Sequence, residues 1–229
     1  VCTTTRFAVA EGGQAAGVYI AISSKNSAGS WMEYAKGEFC AEDSAASGAN
    51  RQNFFATDLI SSGNLHRQDV DQLYRRVASE GLAYGPAFAC LKELWSGSRE
   101  CVGRASLNEA ERARAWEYST LHPALLDACL HATAGLESWT EETGKGGAFL
   151  PMRANTFYCL QRTDPMRSEH DVWCHLEMAG DWKAGSKTCT INVTICSCES
   201  GNIVAQIDGL TLVRPESALN DKGSRLIKE

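Results

Sequence analysis

Apolar and polar positions along the chain change their period several times. Up to about residue 41 they form short β-rich runs, in FAVAEGGQAAGVYIAISS and again in SWMEYAKGEFCAE, with Gly-containing sequence between them. Residues 43–66 (DSAASGANRQNFFATDLISSGNLH) are rich in Ser, Ala, Gly and Asn and read as a connector with one apolar patch. Helical spacing follows, with Val70, Leu73, Tyr74 and Val77 on one face of a short amphipathic helix that stops at Gly81. FACLKELWSGSRECVGRASL then suggests a hairpin turning at Ser96-Gly97-Ser98.

The stretch YSTLHPALLDACLHATAGL (118–136) is different, because nearly every position is apolar or small. A helix of that composition is buried on all sides. Pro123 suits its first position, where a missing N–H costs nothing, and the helix is expected to end near Gly135. After a polar, Gly-rich loop come four strand patterns: AFLPMRANTFYCLQR, DVWCHLEMAG, KTCTINVTICSCESG and NIVAQIDGLTLVRP. In the second of them Val172, Cys174, Leu176 and Met178 share one face. One buried helix followed by an antiparallel meander predicts an α+β domain whose sheet, drawn from residues 84–214, wraps the helix. The tail, ESALNDKGSRLIKE, is polar.

Composition narrows the function classes. The chain has 229 residues, 44% of them apolar, and a formal charge of -6. There is no basic stripe for nucleic acid and no apolar run long enough to span a membrane. The first residues lack the pattern of a signal peptide. The ten cysteines are scattered, and only Cys196 and Cys198 are close, on a strand pattern. That spacing argues against a metal site and against a disulfide framework, and for a reduced, cytoplasmic protein.

The chemistry is concentrated in the apolar helix. Ala124, Asp127, Ala128, His131 and Gly135 fall on one narrow strip, since positions three and four apart align. A carboxylate in an apolar site tends to keep its proton, and a neutral carboxylic acid is a usable general acid. His131 at i+4 is placed to orient it and to share a cavity with it. The helix pattern alone leaves a second reading open, a buried pair that only satisfies itself.

The surrounding motifs favour the first reading. LHPALLDACLH resembles the helix motif of polyketide synthase dehydratase domains, where His-Pro is followed by Asp and then Gln or His. GLAYGPAF (81–88) resembles the family's Gly-Tyr-x-Tyr-Gly-Pro-x-Phe motif, with Leu82 at the first Tyr. FLPMRA resembles its Leu-Pro-Phe-x-Trp motif, with Met152 and Ala154 at the aromatic positions. SWMEYAKGEF resembles its Trp-x-x-His-Ala-x-Gly strand, with Tyr34 at the His. NIVAQIDGLTLVRP resembles the closing strand.

The resemblance implies a double hotdog, two sheet-wrapped helices side by side. It divides the chain into strands of an incomplete first hotdog (1–41), a connector (42–68), a second hotdog (69–217) and a tail or linker (218–229). The activity implied is removal of water from a 3-hydroxyacyl thioester on an acyl carrier protein. Asp127 would be the general acid, oriented by His131; Tyr84, Gly85, Pro86, Phe88, Leu150 and Pro151 would line an apolar substrate tunnel. The substrate's phosphopantetheine arm replaces any cofactor. The implied partners are the carrier protein and neighbouring synthase domains, with a homodimer left open. The family's base, in a His-x-x-x-Gly-x-x-x-x-Pro motif, has no counterpart here, so the chain is expected to be a fragment that dehydrates poorly alone. A product-template or pyran-forming cyclase of the same fold, and a non-catalytic hotdog module, are the alternatives.

Overall fold

The computed structural model describes residues 2–7, 18–26, 29–39, 55–118, 121–136, 149–159, 169–180 and 186–214. They belong to two compact units, Val1–Arg51 and Gln52–Glu229. The polar tail falls outside the described residues.

The first unit is a three-stranded antiparallel meander of β1 (Cys2–Phe7), β2 (Val18–Lys25) and β3 (Trp31–Phe39). The turn from β2 to β3 uses Gly29 at φ 81, a left-handed conformation that costs glycine little. The Asn26 carbonyl accepts from the Gly29 N–H, and the Asn26 side chain accepts from the Ser30 N–H. Tyr34, at the position where the resembling strand carries His, hydrogen-bonds Ser24 across the ribbon at 2.8 Å.

The second unit contains α1 (Ala56–Ser61), β4 (His66–Arg67), α2 (Val70–Ser79), β5 (Leu91–Ser96), β6 (Glu100–Ser106) and α3 (Glu109–Arg112). The central helix follows, α4 (Pro123–His131), prolonged by a 3₁₀ turn over Ala132–Gly135. The remaining strands are β7 (Leu150–Arg153), β8 (Thr156–Cys159), β9 (Asp171–Met178), β10 (Thr188–Ser197) and β11 (Ile203–Val213). Every pairing is antiparallel, in the order β4-β5-β6-β9-β10-β11-β7, with β8 also on β11. This is the predicted α+β arrangement, a hotdog: one helix held in the curl of one sheet.

The sheet closes on the helix because alternate strand residues point inward. Val172, Cys174, Leu176 and Met178 of β9, which the sequence pattern placed on one face, are buried. From β10 come Cys189, Ile191, Val193 and Ile195, and they meet Ala124, Leu125, Ala128, Cys129 and Ala132 of the helix in one core. Each large apolar side chain buried there contributes about 1.5–3 kcal/mol. Small residues set how close helix and sheet come. A Cβ on Gly103 of β6 would lie 3.0 Å from Leu91 Cδ1 and 3.2 Å from the Ala132 Cβ.

Two departures from the sequence reading have physical causes. The part of the connector from Phe55 onward is structured. Ala56, Leu59 and Ile60 of α1 and Leu65 cover the outer face of the sheet at Val102, Trp95 and Trp173. His66 and Arg67 then pair with Ser96 and Trp95 of β5. The second unit therefore begins before residue 69, because Val102 points outward from β6 and needs an apolar cover.

The second departure is that AFLPMRANTFYCLQR is not one strand but two, β7 and β8, broken at Ala154-Asn155. The partner strand makes the bend. Gly209 of β11 takes φ 61, its N–H donates to Asn192 Oδ1 at 3.0 Å, and the Asn155 N–H donates to the Asp208 carbonyl at 3.1 Å. The register of β10 with β11 shifts by the same irregularity, as a β-bulge requires.

The buried cysteines are packing residues. Cys90, Cys101, Cys129, Cys174, Cys189 and Cys196 are buried as free thiols. Burial pushes the Cys101 and Cys129 thiols well up, which keeps them protonated and unreactive. Among the described residues no three His, Cys, Asp or Glu side chains form a group that could hold a metal. Among them, too, no helix is long and apolar enough to cross a membrane.

Candidate active site

The helix start is built as the sequence predicts, with one addition. Pro123 takes the first position, and His122 is the cap, its Nδ1 accepting from the Ala124 N–H at 3.1 Å. An imidazole nitrogen here does the work usually done by a Ser or Asp oxygen. The ring is buried, packs at 4.4 Å from the Tyr118 ring, and has Nε2 3.4 Å from Glu111 Oε2. Burial lowers its pKa, with Glu111 opposing that shift.

One turn and more along α4, Asp127 and His131 meet as their spacing requires. His131 Nε2 lies 3.1 Å from Asp127 Oδ2. The two are unequally covered, since the His131 side chain is 4% exposed and that of Asp127 is 40% exposed. The expectation of a carboxylate withdrawn from water is thereby corrected. Within this chain Asp127 sits at the rim, beside the buried His131.

The groups at the site come from three elements. The loop after α2 places the Tyr84 ring against His131, with centroids 3.8 Å apart and planes 39° apart. Burial pushes the Tyr84 phenol up to about 12, and the negative charge of Asp127 adds to it. Its hydroxyl therefore stays a neutral donor across the physiological range. The GLAYGPAF loop is held by the Gly85 carbonyl, which accepts from Phe88 and Ala89, and by Asn108 Nδ2, which donates to the Pro86 carbonyl at 2.9 Å.

The sequence reading missed Tyr74, which it placed only on the apolar face of α2. The ring does pack on the core, but its Oη lies 3.1 Å from His131 Nδ1 and accepts from the Leu91 N–H at 3.1 Å. Arg76, two residues further along the same helix, donates to the Ala134 carbonyl and ties α2 to the end of the central helix. Both contacts span more than fifty residues of sequence, so helical spacing alone carries no signal for them.

The proposed tunnel walls fare differently. Pro86, Phe88, Leu150 and Pro151 are exposed in this chain, and Gly85 is half-buried. Leu150 and Pro151 pair with Val213 and Leu212 at the β7 edge. A cavity of about 450 Å³ opens at a separate place, among Arg67, Gln68, Asp69, Lys92 and Glu93. Its charged lining does not suit an acyl chain. Of the other histidines, His66 is exposed on β4 and His175 Nε2 lies 2.9 Å from Glu100 Oε2.

A helix in the curl of an antiparallel sheet, with a carboxylate, an imidazole and a phenol grouped beside it, defines the class: a hotdog domain. The family model described as polyketide synthase dehydratase N-terminal domain matches residues 55–220. That is well over half of the chain, and the chain belongs to the polyketide synthase dehydratase family.

Polyketide synthase GfsA of Streptomyces halstedii is 40% identical over 78 residues, covering 34% of this chain and 1% of GfsA. The dehydratase domain from the CurK module of the curacin polyketide synthase shares the fold at a TM-score of 0.68 and 22% identity, covering 93% of this chain and 66% of that one. A trans-AT polyketide synthase dehydratase domain from Brevibacillus brevis does so at 0.73 and 19% identity, covering 92% and 68%. The chain thus spans about two thirds of these solved domains and a small fraction of the synthase.

Proposed function

We propose that this chain supplies the acid half of a dehydratase that removes water from a 3-hydroxyacyl thioester. The observation that carries the proposal is Asp127: a part-exposed carboxylate with one oxygen, Oδ2, 3.1 Å from the Nε2 of a buried imidazole. In this reading Asp127 Oδ1 protonates the departing C3 hydroxyl while a base removes the C2 proton, and the product is the enoyl thioester. His131 and Tyr84 orient the acid. In this reading the base is contributed from outside the described residues, since the family's His-x-x-x-Gly-x-x-x-x-Pro motif has no counterpart in the sequence.

The inactive variants of the CurK dehydratase support a two-residue mechanism. One carries Phe for His and the other Asn for Asp, and both are described as inactive. The substrate is proposed to arrive on the phosphopantetheine arm of an acyl carrier protein, with no other cofactor. The exposed Phe88, Leu150 and Pro151 would then be apolar surface that a bound acyl chain covers.

The test uses a 3-hydroxyacyl pantetheine thioester and the synthase protein that carries this chain. Enoyl thioester should form with the native protein and not with its Asp127→Asn variant. Undiminished enoyl formation by the variant would refute the assignment.

A further inference from the structure

We propose that Tyr74 is a positioning residue: its hydroxyl fixes the tautomer of His131 and so decides which oxygen of Asp127 carries the acidic proton. The inference deepens the acid role proposed for Asp127 and rests on it.

The argument is an accounting of donors. Tyr74 Oη has two polar partners among the described residues, the Leu91 N–H at 3.1 Å and His131 Nδ1 at 3.1 Å. The backbone N–H can only donate, so it occupies an oxygen lone pair. The one acceptor left for the phenol's own proton is Nδ1. An N–H on Nδ1 would leave the Tyr74 O–H with no acceptor in a largely apolar surrounding, an arrangement that buried groups avoid. Tyr74 is also kept protonated, because burial raises its pKa. Tyr74 therefore donates to Nδ1, and the neutral imidazole carries its hydrogen on Nε2.

The consequence reaches Asp127. An Nε2–H 3.1 Å from Oδ2 makes Oδ2 an acceptor. When Asp127 takes up a proton, it must then sit on Oδ1, the oxygen without a hydrogen-bond partner among the described residues. In the proposed reaction that is the oxygen the substrate hydroxyl would meet. With the other tautomer the proton would lie on Oδ2, facing an unprotonated Nε2 and turned away from substrate. Tyr84, stacked on the same ring, limits its tilt but offers it no hydrogen bond, so the two tyrosines have separable roles.

The chain labelled with ¹⁵N-histidine, in neutral to alkaline buffer, gives the direct test. Long-range proton–nitrogen correlation spectra distinguish the tautomers, and the loss of one set of signals in His131→Gln assigns His131. The native chain should show the Nε2–H form. In an Asp127→Ala background, where no carboxylate accepts from Nε2, the Nε2–H form should persist, Tyr74→Phe should shift the ring toward Nδ1–H, and Tyr84→Phe should leave it unchanged. In the synthase protein, Tyr74→Phe should lower kcat by about tenfold to a hundredfold with little change in KM. An Nδ1–H ring in the native chain would overturn the proposal, whether or not any variant folds. So would a folded chain carrying both Asp127→Ala and Tyr74→Phe whose His131 remains wholly Nε2–H. Full activity of Asp127→Asn would refute the acid role while leaving the tautomer measurement intact.

Discussion

The two ends of α4 each hold a buried imidazole. His122 packs on Tyr118 and lies 3.4 Å from Glu111; His131 packs on Tyr84 and lies 3.1 Å from Asp127. The inventory is the same, yet the freedom differs. At His122 the Nδ1 position is taken by a backbone N–H, which cannot give up or turn its proton. At His131 both nitrogens face side chains, a phenol and a carboxylate. The first contact caps the helix, and the second joins the helix to side chains of the proposed site.

The largest effect that sharpens this contrast is at Asp127. Asp127→Asn should lower dehydration by the synthase protein about 10²- to 10⁴-fold while the unfolding free energy changes by no more than about 0.5 kcal/mol. Enoyl formation and thermal unfolding, measured on the same preparation, give both quantities. Loss of stability matching the loss of rate would make the His131 end structural too.

Next comes the C-terminal extension of the helix. A Cβ on Gly135 would lie 2.5 Å from Leu94 Cδ2 and 2.8 Å from Ser96 Oγ. Gly135→Ala should therefore cost about 1–3 kcal/mol through overpacking, read by denaturant unfolding. At the opposite end, His122→Ala should cost about 0.5–2 kcal/mol through the lost cap, and His122→Asn, which restores a side-chain acceptor, distinctly less.

The smallest effect is in pH. The folded pKa of His122 is depressed, so below about 6.5 the unfolded chain takes up this proton before the folded chain does. Unfolding free energy then rises with pH in that window. The contribution of His122 is complete above the unfolded value and is lost as pH falls toward the folded one. His122→Asn should flatten that part of the stability profile, and an unchanged slope would show that His122 is not its source.

The elements that carry an internal pattern were legible in the sequence. The all-round apolar helix, its Pro123 start, the alternation of β9 and the Asp127/His131 spacing are local periodicities, and each is present in the structure. What escaped was non-local. Tyr74 reads as a core residue because its ring is one, and only the fold shows where the hydroxyl ends. The apolar patch in the connector gave no sign that Val102, on β6, needed an outer cover. The exposure of Asp127 also escaped, since a helix pattern tells which residues share a strip but not how high a neighbouring loop rises over it.

The bend between β7 and β8 constrains how the family can diverge. Any side chain at position 209 would run into Asn155, whose Cγ lies 2.8 Å from where the new Cβ would stand, and the residue would also have to hold φ 61. Drift at these two positions therefore has a preferred order. Asn155 can shorten first, leaving the bulge intact, whereas a lineage that changed Gly209 first would bear both the collision and the strained backbone. Substitutions at 155 should thus be found beside glycine at 209 more readily than the reverse.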